Sequence, residues 1–350
     1  MKKRICMVVQ DPMVKGGIAA VVNGYRGSKL EADYDITYVE SYKDGSKFQK
    51  LLKALCGYMS FVKVLLFNKP DIVHIHSSFG PSFTRKIPFI YMASWAKIPI
   101  INHIHGSEFG ELYLNACEKK QKLVKKVWGK CDKFIVLSDE WKETFSCVIA
   151  KEKMTVIENY SKVVENIQHH KCNNRVLFLG AINEMKGCYD IVDIAVNLKK
   201  KIPDVKFIIA GAGEEQQVAE KASNIGVSEN IEFPGWVRDK EKDSLLKSCD
   251  LFLLPSYTEG MPMSILDAMG YGLPIVSTNV GGIPKIVKNG KNGYCCEPGD
   301  ISNMSECIIS MLSSKDTLES MSKRSLDIIK EKYSFEEHLK KLESLYNDML

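Results

Sequence analysis

The sequence predicts an α/β protein of two domains, each with a parallel sheet that carries helices on both faces. The chain has 350 residues, a length that suits two domains of ordinary size better than one. Short apolar runs rich in Val, Ile and Phe alternate with amphipathic stretches, a pattern typical of buried parallel strands joined by helices. The pattern restarts after a polar segment, residues 158–174, which we interpret as the linker between the domains.

The apolar runs place the strands. Those in the first half are Arg4–Val9, Asp35–Val39, Ile72–His76, Ile98–Asn102, Lys133–Leu137 and Met154–Ile157. Those in the second half are Arg175–Leu179, Val205–Ala210, Asn230–Phe233, Leu251–Leu254 and Pro274–Ser277, and a last strand motif ends near Cys296. We therefore assign residues 1–160 and 161–330 to the two domains. Residues 331–350 hold a final amphipathic helix, which needs a surface for its apolar stripe and can cross back onto the first domain.

Composition and charge exclude several classes of protein. The hydrophobic content of 45% and the charged content of 26% are globular, and the net charge of +5 is too mild for a nucleic-acid binder. Eleven cysteines without a C-x-x-C pair indicate neither a zinc-ligand spacing nor a disulfide framework, and they fit a reducing cytosol. No apolar run suits a signal peptide or a membrane-spanning helix. We expect a cytoplasmic protein with no nucleic-acid partner.

Two glycines follow the first strand. Gly16 and Gly17 precede the helical stretch Ile18–Tyr25, where a glycine loop can approach a ligand closely and the helix start offers free N–H groups. A simple strand–helix turn explains them equally well. The G-x-G-x-x-G pattern is absent, so a dinucleotide cofactor is disfavoured.

A lysine lies at the start of a helix in the second half. Lys186 belongs to the segment Phe178–Gly187, which follows a strand and leads into a helix. Lysine is normally found near a helix C-terminus, whereas the N-terminus favours anions. Its position therefore suggests an anionic ligand, and a solvated lysine is the alternative.

The strongest single segment is Ser256–Thr278. Gly260 permits a close approach, and Pro262 opens a helix at a position where its missing N–H costs nothing. The N–H groups of residues 263–265 are then unpaired and can hold a phosphate. Glu259 and Asp267, eight positions apart, can accept hydrogen bonds from sugar and ribose hydroxyls. The alternative is a helix cap and a surface charge.

Four of the seven histidines follow two neighbouring strands of the first half. His74 and His76 end one strand, and His103 and His105 end the next. Ligands of parallel α/β sheets bind at these carboxyl ends, although each histidine alone could be structural. By strand alternation we expect His74 and His103 to point away from His76 and His105. No carboxylate or cysteine lies at ligand spacing, and we predict no metal.

Two basic amphipathic stretches lie in the first half. Residues 44–69 and 118–133 interleave lysines with apolar residues, as suits an anionic bilayer surface. The alternative is that the apolar residues belong to the core and the lysines to a solvated face. The membrane interpretation makes the protein peripheral on the inner face of the plasma membrane.

Together these segments resemble the retaining glycosyltransferases of glycosyltransferase family 4. The block Pro255–Gly282 resembles that family's Glu-x7-Glu element and the small-residue helix end after it. The histidine strands of the first half resemble members that build bacterial surface polysaccharides. The resemblance implies the GT-B fold, with two Rossmann-like domains whose parallel sheets face a central cleft. The first domain, residues 1–160, would bind the acceptor, and the second, residues 161–330, the nucleotide sugar.

The resemblance also implies roles for individual residues. Glu259 contacts hydroxyls of the donor sugar, Asp267 contacts the ribose, and Lys186 contacts the donor diphosphate. Gly17 belongs to a glycine loop near that diphosphate, and His105 lies beside the transferred sugar. The loop that includes Trp236 and Val237 receives the nucleotide base. Catalytic candidates are therefore Glu259, His105 and Lys186. Donor-binding candidates are Gly17, Lys186, Trp236, Val237, Glu259, Met261, Met263, Ser264 and Asp267. Acceptor-side candidates are His76, Ser82, Arg85 and Lys86.

Two positions depart from the family pattern. Ala181 replaces an arginine, which removes one cation facing the diphosphate, and Asp267 replaces a glutamate that is one methylene longer. Such changes can weaken donor binding or abolish activity.

The function that we expect is transfer of a hexosyl or N-acetylhexosaminyl group with retention of anomeric configuration. The donor would be a nucleoside diphosphate sugar, with UDP favoured by family frequency, and no cofactor is needed. The acceptor would be a glycan or a polyprenyl-diphosphate-linked glycan of a surface polysaccharide. The alternatives are a non-catalytic GT-B accessory protein and a sugar-nucleotide epimerase, since fold alone does not decide function.

Overall fold

The structure is a computed structural model that describes residues 2–106, 109–165 and 173–350. It divides into two compact units. Unit 1 comprises Met1–Asn159 and Glu336–Leu350, and unit 2 comprises Tyr160–Phe335. Residues 166–172 of the expected linker lie outside the described residues.

Unit 1 contains a six-stranded parallel sheet. Its strands are β1 (Arg4–Val9), β2 (Asp35–Glu40), β3 (Ile72–Ser77), β4 (Ile100–Ile104), β5 (Lys133–Val136) and β6 (Met154–Val156). They are arranged in the order β2-β1-β3-β4-β5-β6. Its helices are α1 (Gly17–Tyr25), α2 (Lys29–Asp33), α3 (Lys47–Phe67), α4 (Pro81–Trp95), α5 (Glu118–Trp128) and α6 (Asp139–Phe145).

Unit 2 repeats this architecture. Its strands are β7 (Arg175–Ile182), β8 (Lys206–Gly213), β9 (Ile231–Glu232), β10 (Leu251–Leu254), β11 (Ile275–Thr278) and β12 (Gly293–Cys296). They form a parallel sheet in the order β12-β11-β10-β7-β8-β9. Its helices are α7 (Cys188–Lys199), α8 (Glu215–Asn224), α9 (Asp239–Ser248), α10 (Met263–Gly270), α11 (Ile283–Ile286), α12 (Ile301–Leu312) and α13 (Lys315–Ile328).

The predicted two-sheet α/β fold is confirmed. Every apolar run interpreted as a strand overlaps one, because a strand buried on both faces needs continuous apolar residues. The bounds of β4 differ by two residues from the expected Ile98–Asn102. The N–H of Ile98 donates to the Ala93 carbonyl at 3.1 Å and so closes the end of α4. Pro99 has no N–H for the ladder, and the strand therefore begins at Ile100.

The last helix, α14 (Phe335–Met349), packs within unit 1. Its apolar stripe is buried, with Leu342 and Tyr346 fully inaccessible to solvent. The Tyr346 hydroxyl lies 2.6 Å from Nδ1 of His74 on β3. The His338 ring lies 2.6 Å from the Tyr25 hydroxyl on α1. The helix thus covers its stripe with residues of the first sheet and of α1.

The two basic amphipathic helices of unit 1 differ in how many of their apolar side chains are buried. In α5 the apolar residues Val124, Val127 and Trp128 are buried, so that helix has an ordinary core face. In α3 only Ala54, Gly57 and Phe61 are buried. Its exposed apolar side chains are Phe48, Leu51, Leu52, Leu55, Met59, Val62, Leu66 and Phe67. Among the described residues, no helix has the length and apolar content that crossing a bilayer requires.

Candidate functional site

The start of α10 in unit 2 provides free backbone amides. Pro262 is the N-cap residue, with φ −69° and ψ 119°, and the helix begins one residue later than expected, at Met263. The extended ψ of Pro262 keeps it outside the helix, while its carbonyl accepts the Leu266 N–H at 3.3 Å. The N–H groups of Met263, Ser264 and Ile265 precede that first helical bond, so they have no partner within the helix.

An ion pair joins Glu259, in the loop before this helix, to Lys186. The Lys186 Nζ atom is 2.6 Å from Oε1 of Glu259. The Glu259 side chain is only 8% exposed, whereas that of Lys186 is 29% exposed. The structure therefore brings together the two residues that the resemblance assigned to the donor diphosphate and the donor sugar. The lysine lies in a 3₁₀ turn, Glu184–Lys186, which precedes α7.

Close contact between two loops holds this pair together. Gly187 adopts φ +70°, and a Cβ atom there would lie 2.1 Å from the Pro255 carbonyl oxygen. The Met185 carbonyl accepts the Tyr257 N–H at 2.9 Å and the Ser256 hydroxyl at 3.0 Å. Only glycine at position 187 lets the loop of Lys186 approach the loop of Glu259 so closely.

Gly281 and Gly282 also contact the loop that contains Glu259. The Gly282 N–H donates to the Gly260 carbonyl at 2.7 Å. A Cβ atom on Gly281 would lie 1.9 Å from the Glu259 carbonyl oxygen. Met261, next in the loop, is 4% exposed. The backbone on which Glu259 is mounted is therefore fixed by glycines about 20 residues downstream in the chain.

Asp267, on α10, already has partners on both carboxylate oxygens. Its Oδ2 is 2.5 Å from the Lys242 Nζ atom, and its Oδ1 accepts the Ser161 hydroxyl at 3.2 Å. Lys242 lies on α9 among several other charged residues. Nothing in the sequence indicated that this lysine would contact α10. The ribose contact assigned to Asp267 stays a prediction.

The remaining donor-side candidates of unit 2 lie at strand ends. Trp236 and Val237 are half-buried in the loop between β9 and α9, and the carbonyl of the preceding Gly235 accepts the Gly211 N–H at 2.9 Å. That bond ties the loop to the end of β8. Ala181 is exposed near the carboxyl end of β7, where the family pattern has an arginine.

In unit 1 the four histidines form one stack on the same face of the sheet. The ring centroids of His74 and His76 are 4.4 Å apart, and those of His103 and His105 are 4.0 Å apart. His76 pairs with His103 across the two strands. The expectation that His74 and His103 point away from His76 and His105 is wrong, because residues two apart on a strand share a face.

Burial keeps these imidazoles neutral. His74, His76 and His103 are fully buried, and His105 is half-buried. Burial, helped by neighbouring histidines, lowers the pKa of His74 to about 3 and the pKa of His76 and His103 well below 6.5. Burial is also the main cause that lowers the pKa of His105 to about 3. These rings can therefore act as neutral hydrogen-bond partners or ligands near neutral pH.

Two of the acceptor-side candidates, Lys86 and Arg85, contact other residues of unit 1. Lys86 is 2% exposed, and its Nζ atom donates to the Val8 carbonyl at 3.2 Å and to the Ser41 hydroxyl at 2.7 Å. Burial holds the pKa of this ammonium well below 10.5. Arg85 lies over the Tyr42 ring, 4.4 Å from its centroid.

The other two candidates are closer to solvent. The half-buried Ser82 accepts the Ser78 N–H at 3.2 Å. Gly17 is exposed at the first position of α1, after Gly16 with φ +135°. The acceptor-side and diphosphate roles of these residues stay predictions.

Two family models match the chain, one in each half. The model of Glycosyltransferase Family 4 matches residues 18–160, and the model of Glycosyl transferases group 1 matches residues 161–327. The chain belongs to these glycosyltransferases. The resemblance inferred from the sequence is thereby confirmed.

Two relatives of this glycosyltransferase have named activities. The UDP-Gal:alpha-D-GlcNAc-diphosphoundecaprenol alpha-1,3-galactosyltransferase of Escherichia coli is 28% identical over 323 residues, which are 86% of this chain and 81% of the relative. The 2-deoxystreptamine N-acetyl-D-glucosaminyltransferase of Niallia circulans is 28% identical over 290 residues, 75% of this chain and 74% of the relative.

Solved structures show the same fold as this glycosyltransferase. Sucrose-phosphate synthase of Thermosynechococcus elongatus superposes with a TM-score of 0.79 at 14% identity and covers 99% of each chain. HepE of Anabaena in complex with UDP-glucose superposes with a TM-score of 0.75 at 16% identity, over 98% of this chain and 99% of HepE. These similarities establish the GT-B fold.

Proposed function

We propose that this glycosyltransferase moves a sugar from a nucleoside diphosphate sugar to a glycan or polyprenyl-diphosphate-linked acceptor, with retention of anomeric configuration. One observation carries the proposal: Lys186 pairs with Glu259, and Glu259 lies in the loop before a helix whose first amides have no intrahelical partner. UDP is the preferred carrier, because HepE was solved with UDP-glucose and the Escherichia coli relative is named for UDP-Gal. That relative's diphosphoundecaprenol acceptor supports a lipid-linked acceptor of a surface polysaccharide.

The chemistry rests on charge that develops on the leaving diphosphate. As the glycosidic bond breaks, negative charge grows on the nucleotide oxygens. The amides of Met263–Ile265 and the Lys186 ammonium would stabilise this charge. The amides are fixed donors at the helix start, and the backbone of Lys186 is held by its N–H bond to Asn183. Glu259 would release Lys186 to the diphosphate and use its carboxylate to hold the hydroxyls of the donor sugar.

His105 would position the transferred sugar as a neutral group. Because burial lowers its pKa to about 3, the ring carries no charge at physiological pH. Its Nε2 atom lies 2.9 Å from Nδ1 of His76, so this contact fixes the orientation of the ring. A neutral oriented imidazole can accept or donate one hydrogen bond to a sugar hydroxyl.

Donor binding and turnover test this proposal. A thermal-shift screen of nucleotide sugars should reveal a donor, because a ligand of the folded state raises its stability. Release of nucleotide should then depend on acceptor and should be lost in Glu259→Ala. Glu184→Ala, which removes an exposed carboxylate beside Lys186, is the matched control and should retain activity.

The result of that experiment distinguishes a catalytic transferase from a non-catalytic accessory protein. Equal nucleotide release by wild type and Glu259→Ala would overturn the catalytic assignment. Tight donor binding without release by the wild type would instead favour a non-catalytic accessory protein, as the departures at Ala181 and Asp267 allow.

We further propose that α3 attaches the protein to an anionic membrane. Its exposed apolar side chains recur every three or four residues, from Phe48 at 73% exposure to Leu66 at 71%. The helix contains no acidic residue, and Lys47 and Lys63 are exposed on it. Apolar side chains flanked by lysines suit insertion at an anionic lipid surface.

Vesicle sedimentation tests this attachment. The wild type should sediment with phosphatidylglycerol-containing vesicles at low salt, and Leu51→Glu combined with Leu55→Glu should remain in the supernatant. Both side chains are already exposed, so the exchange should leave the fold intact. Ile225→Glu, an exposed position in unit 2, is the control and should sediment like the wild type. Equal sedimentation of the double variant would exclude α3 as the anchor.

A further inference from the structure

Three buried histidines of unit 1 leave ring nitrogens without partners. The Nε2 atoms of His74 and His76 and both ring nitrogens of His103 are buried and make no hydrogen bond among the described residues. A buried polar atom without a hydrogen-bond partner destabilises the folded state. A neutral imidazole carries a proton on one ring nitrogen and a lone pair on the other, so each of the three histidines can offer one lone pair to a shared ligand.

Strand geometry brings these nitrogens to one point. His74 and His76 lie two residues apart on β3 and share a face, and His103 pairs with His76 from β4. One ring nitrogen from each of the three lies within 4.8 Å of the others. Three imidazoles on one face of two adjacent strands can converge on a single ion.

We propose that His74, His76 and His103 form a binding site for one divalent transition-metal ion, with zinc as the reference ion. Three neutral imidazoles are a known ligand set for zinc, and imidazole also suits copper and nickel. None of its ligands belongs to the donor-binding loops of unit 2. His76 is, however, also an acceptor-side candidate and contacts His105, so the test measures metal binding and not sugar transfer.

The partners of the other ring nitrogens fit this ligand set. Nδ1 of His74 lies 2.6 Å from the Tyr346 hydroxyl, and Nδ1 of His76 lies 2.9 Å from Nε2 of His105. If each Nδ1 carries the proton, each Nε2 presents its lone pair to the metal. Metal-bound histidines commonly donate their second N–H in this way, which fixes the tautomer and the ring orientation.

The required movement is small. Nitrogens bound to one tetrahedral zinc ion at about 2.0 Å lie roughly 3.3 Å apart. Rotation of the side chains can close the present separation of up to 4.8 Å.

Metal binding by the full-length chain tests the site. The protein is prepared without a histidine tag and stripped with a chelator. Cys172 and the exposed cysteines of the described residues, Cys56, Cys117 and Cys147, are alkylated. Zinc titration should then show one equivalent bound, and Co²⁺ should give the visible absorption of nitrogen ligation. Zinc should also raise the thermal midpoint of unfolding, because it binds the folded state.

Single substitutions test which histidines bind the ion. His103→Gln should abolish the stoichiometric binding. His338→Gln should retain it, since His338 is a buried histidine whose two ring nitrogens already have partners. Tyr346→Phe keeps all three ligands but removes the partner of His74, and it should weaken zinc affinity about 10- to 100-fold.

Every outcome decides the proposal. A wild type that binds less than a tenth of an equivalent of zinc and shows no thermal shift would overturn it, and ordered water would then be the partner of the buried nitrogens. Unchanged binding by a folded His103→Gln would also overturn it. If His103→Gln does not fold, Tyr346→Phe decides, because unchanged zinc affinity in that variant would contradict ligation by His74.

Discussion

Acid should weaken unit 1 through a single buried histidine of α14. His338 is 3% exposed, its Nδ1 lies 2.7 Å from the Glu158 carbonyl oxygen, and its Nε2 lies 2.6 Å from the Tyr25 hydroxyl. A carbonyl can only accept, so Nδ1 carries the proton and Nε2 accepts from Tyr25. Burial lowers the pKa of His338 from 6.5 to about 4, and the charge of Lys341 contributes to this shift.

The sign and size of the effect follow from that pKa. The unfolded chain takes up a proton near pH 6.5, whereas the folded His338 resists protonation until about pH 4. The stabilisation is therefore complete above pH 6.5 and is lost as the pH falls towards 4. Between pH 7.5 and pH 5 the loss is about 2 kcal/mol. At pH 5 the His338 imidazole of the folded protein is still largely neutral. Most of the loss therefore arises because the same imidazole is protonated in the unfolded chain.

Urea unfolding at pH 7.5 and pH 5 measures the loss. Tryptophan fluorescence reports mainly on unit 1, which holds Trp95, Trp128 and Trp141. The comparison is with His338→Gln, whose amide can still donate and accept but does not titrate. The free energy of unfolding of the variant should fall by about 2 kcal/mol less than that of the wild type over this range.

The difference between the two proteins isolates His338, because both contain the other buried histidines. An equal pH dependence in wild type and variant would refute the reasoning. It would mean either that the ring is not buried between Glu158 and Tyr25 or that α14 does not pack within unit 1 as the structure shows.

Three further predictions concern the loops of unit 2 and the helix α3. Glu259→Gln should bind UDP about tenfold more tightly in a calorimetric titration, because it frees Lys186 from a charge-assisted bond; weaker binding would contradict this. Gly187→Ala should lower the free energy of unfolding of unit 2 by about 3 kcal/mol, from the positive φ and the clash with Pro255; a loss below about 1 kcal/mol in urea would oppose it. Phe61→Ala should destabilise unit 1 by about 3–5 kcal/mol, whereas the same exchange at an exposed apolar position of α3 should change little.

Local sequence accounts for most of the secondary structure and for part of the site. Continuous apolar runs mark buried strands wherever they lie in the chain, and the run Leu251–Leu254 matches β10 residue for residue. The loop at Glu259 was identifiable because Gly260 and Pro262 are local signals of a turn and a helix start. Alternation alone would also have placed His74 and His76 on one face, since that rule needs only two positions of one strand.

Other features of the site depend on residues far apart in the chain. The partner of Asp267 is Lys242, and nothing in the charged surroundings of that lysine distinguishes it from solvated neighbours. Lys86 gave no sign that its ammonium would bond the Val8 carbonyl inside unit 1. Predicting such contacts requires knowledge of which helices and strands pack together.

The sequence by itself determined the two parallel sheets, the family and the loops that carry Lys186 and Glu259, because each of these rests on neighbouring residues. Only the tertiary structure decided that most of the large apolar side chains of α3 are exposed while Val124, Val127 and Trp128 of α5 are buried. Both helices have amphipathic lysine-rich sequences, and periodicity defines an apolar face without stating what covers it. That choice depends on the surfaces that the rest of the fold offers, which no single helix encodes.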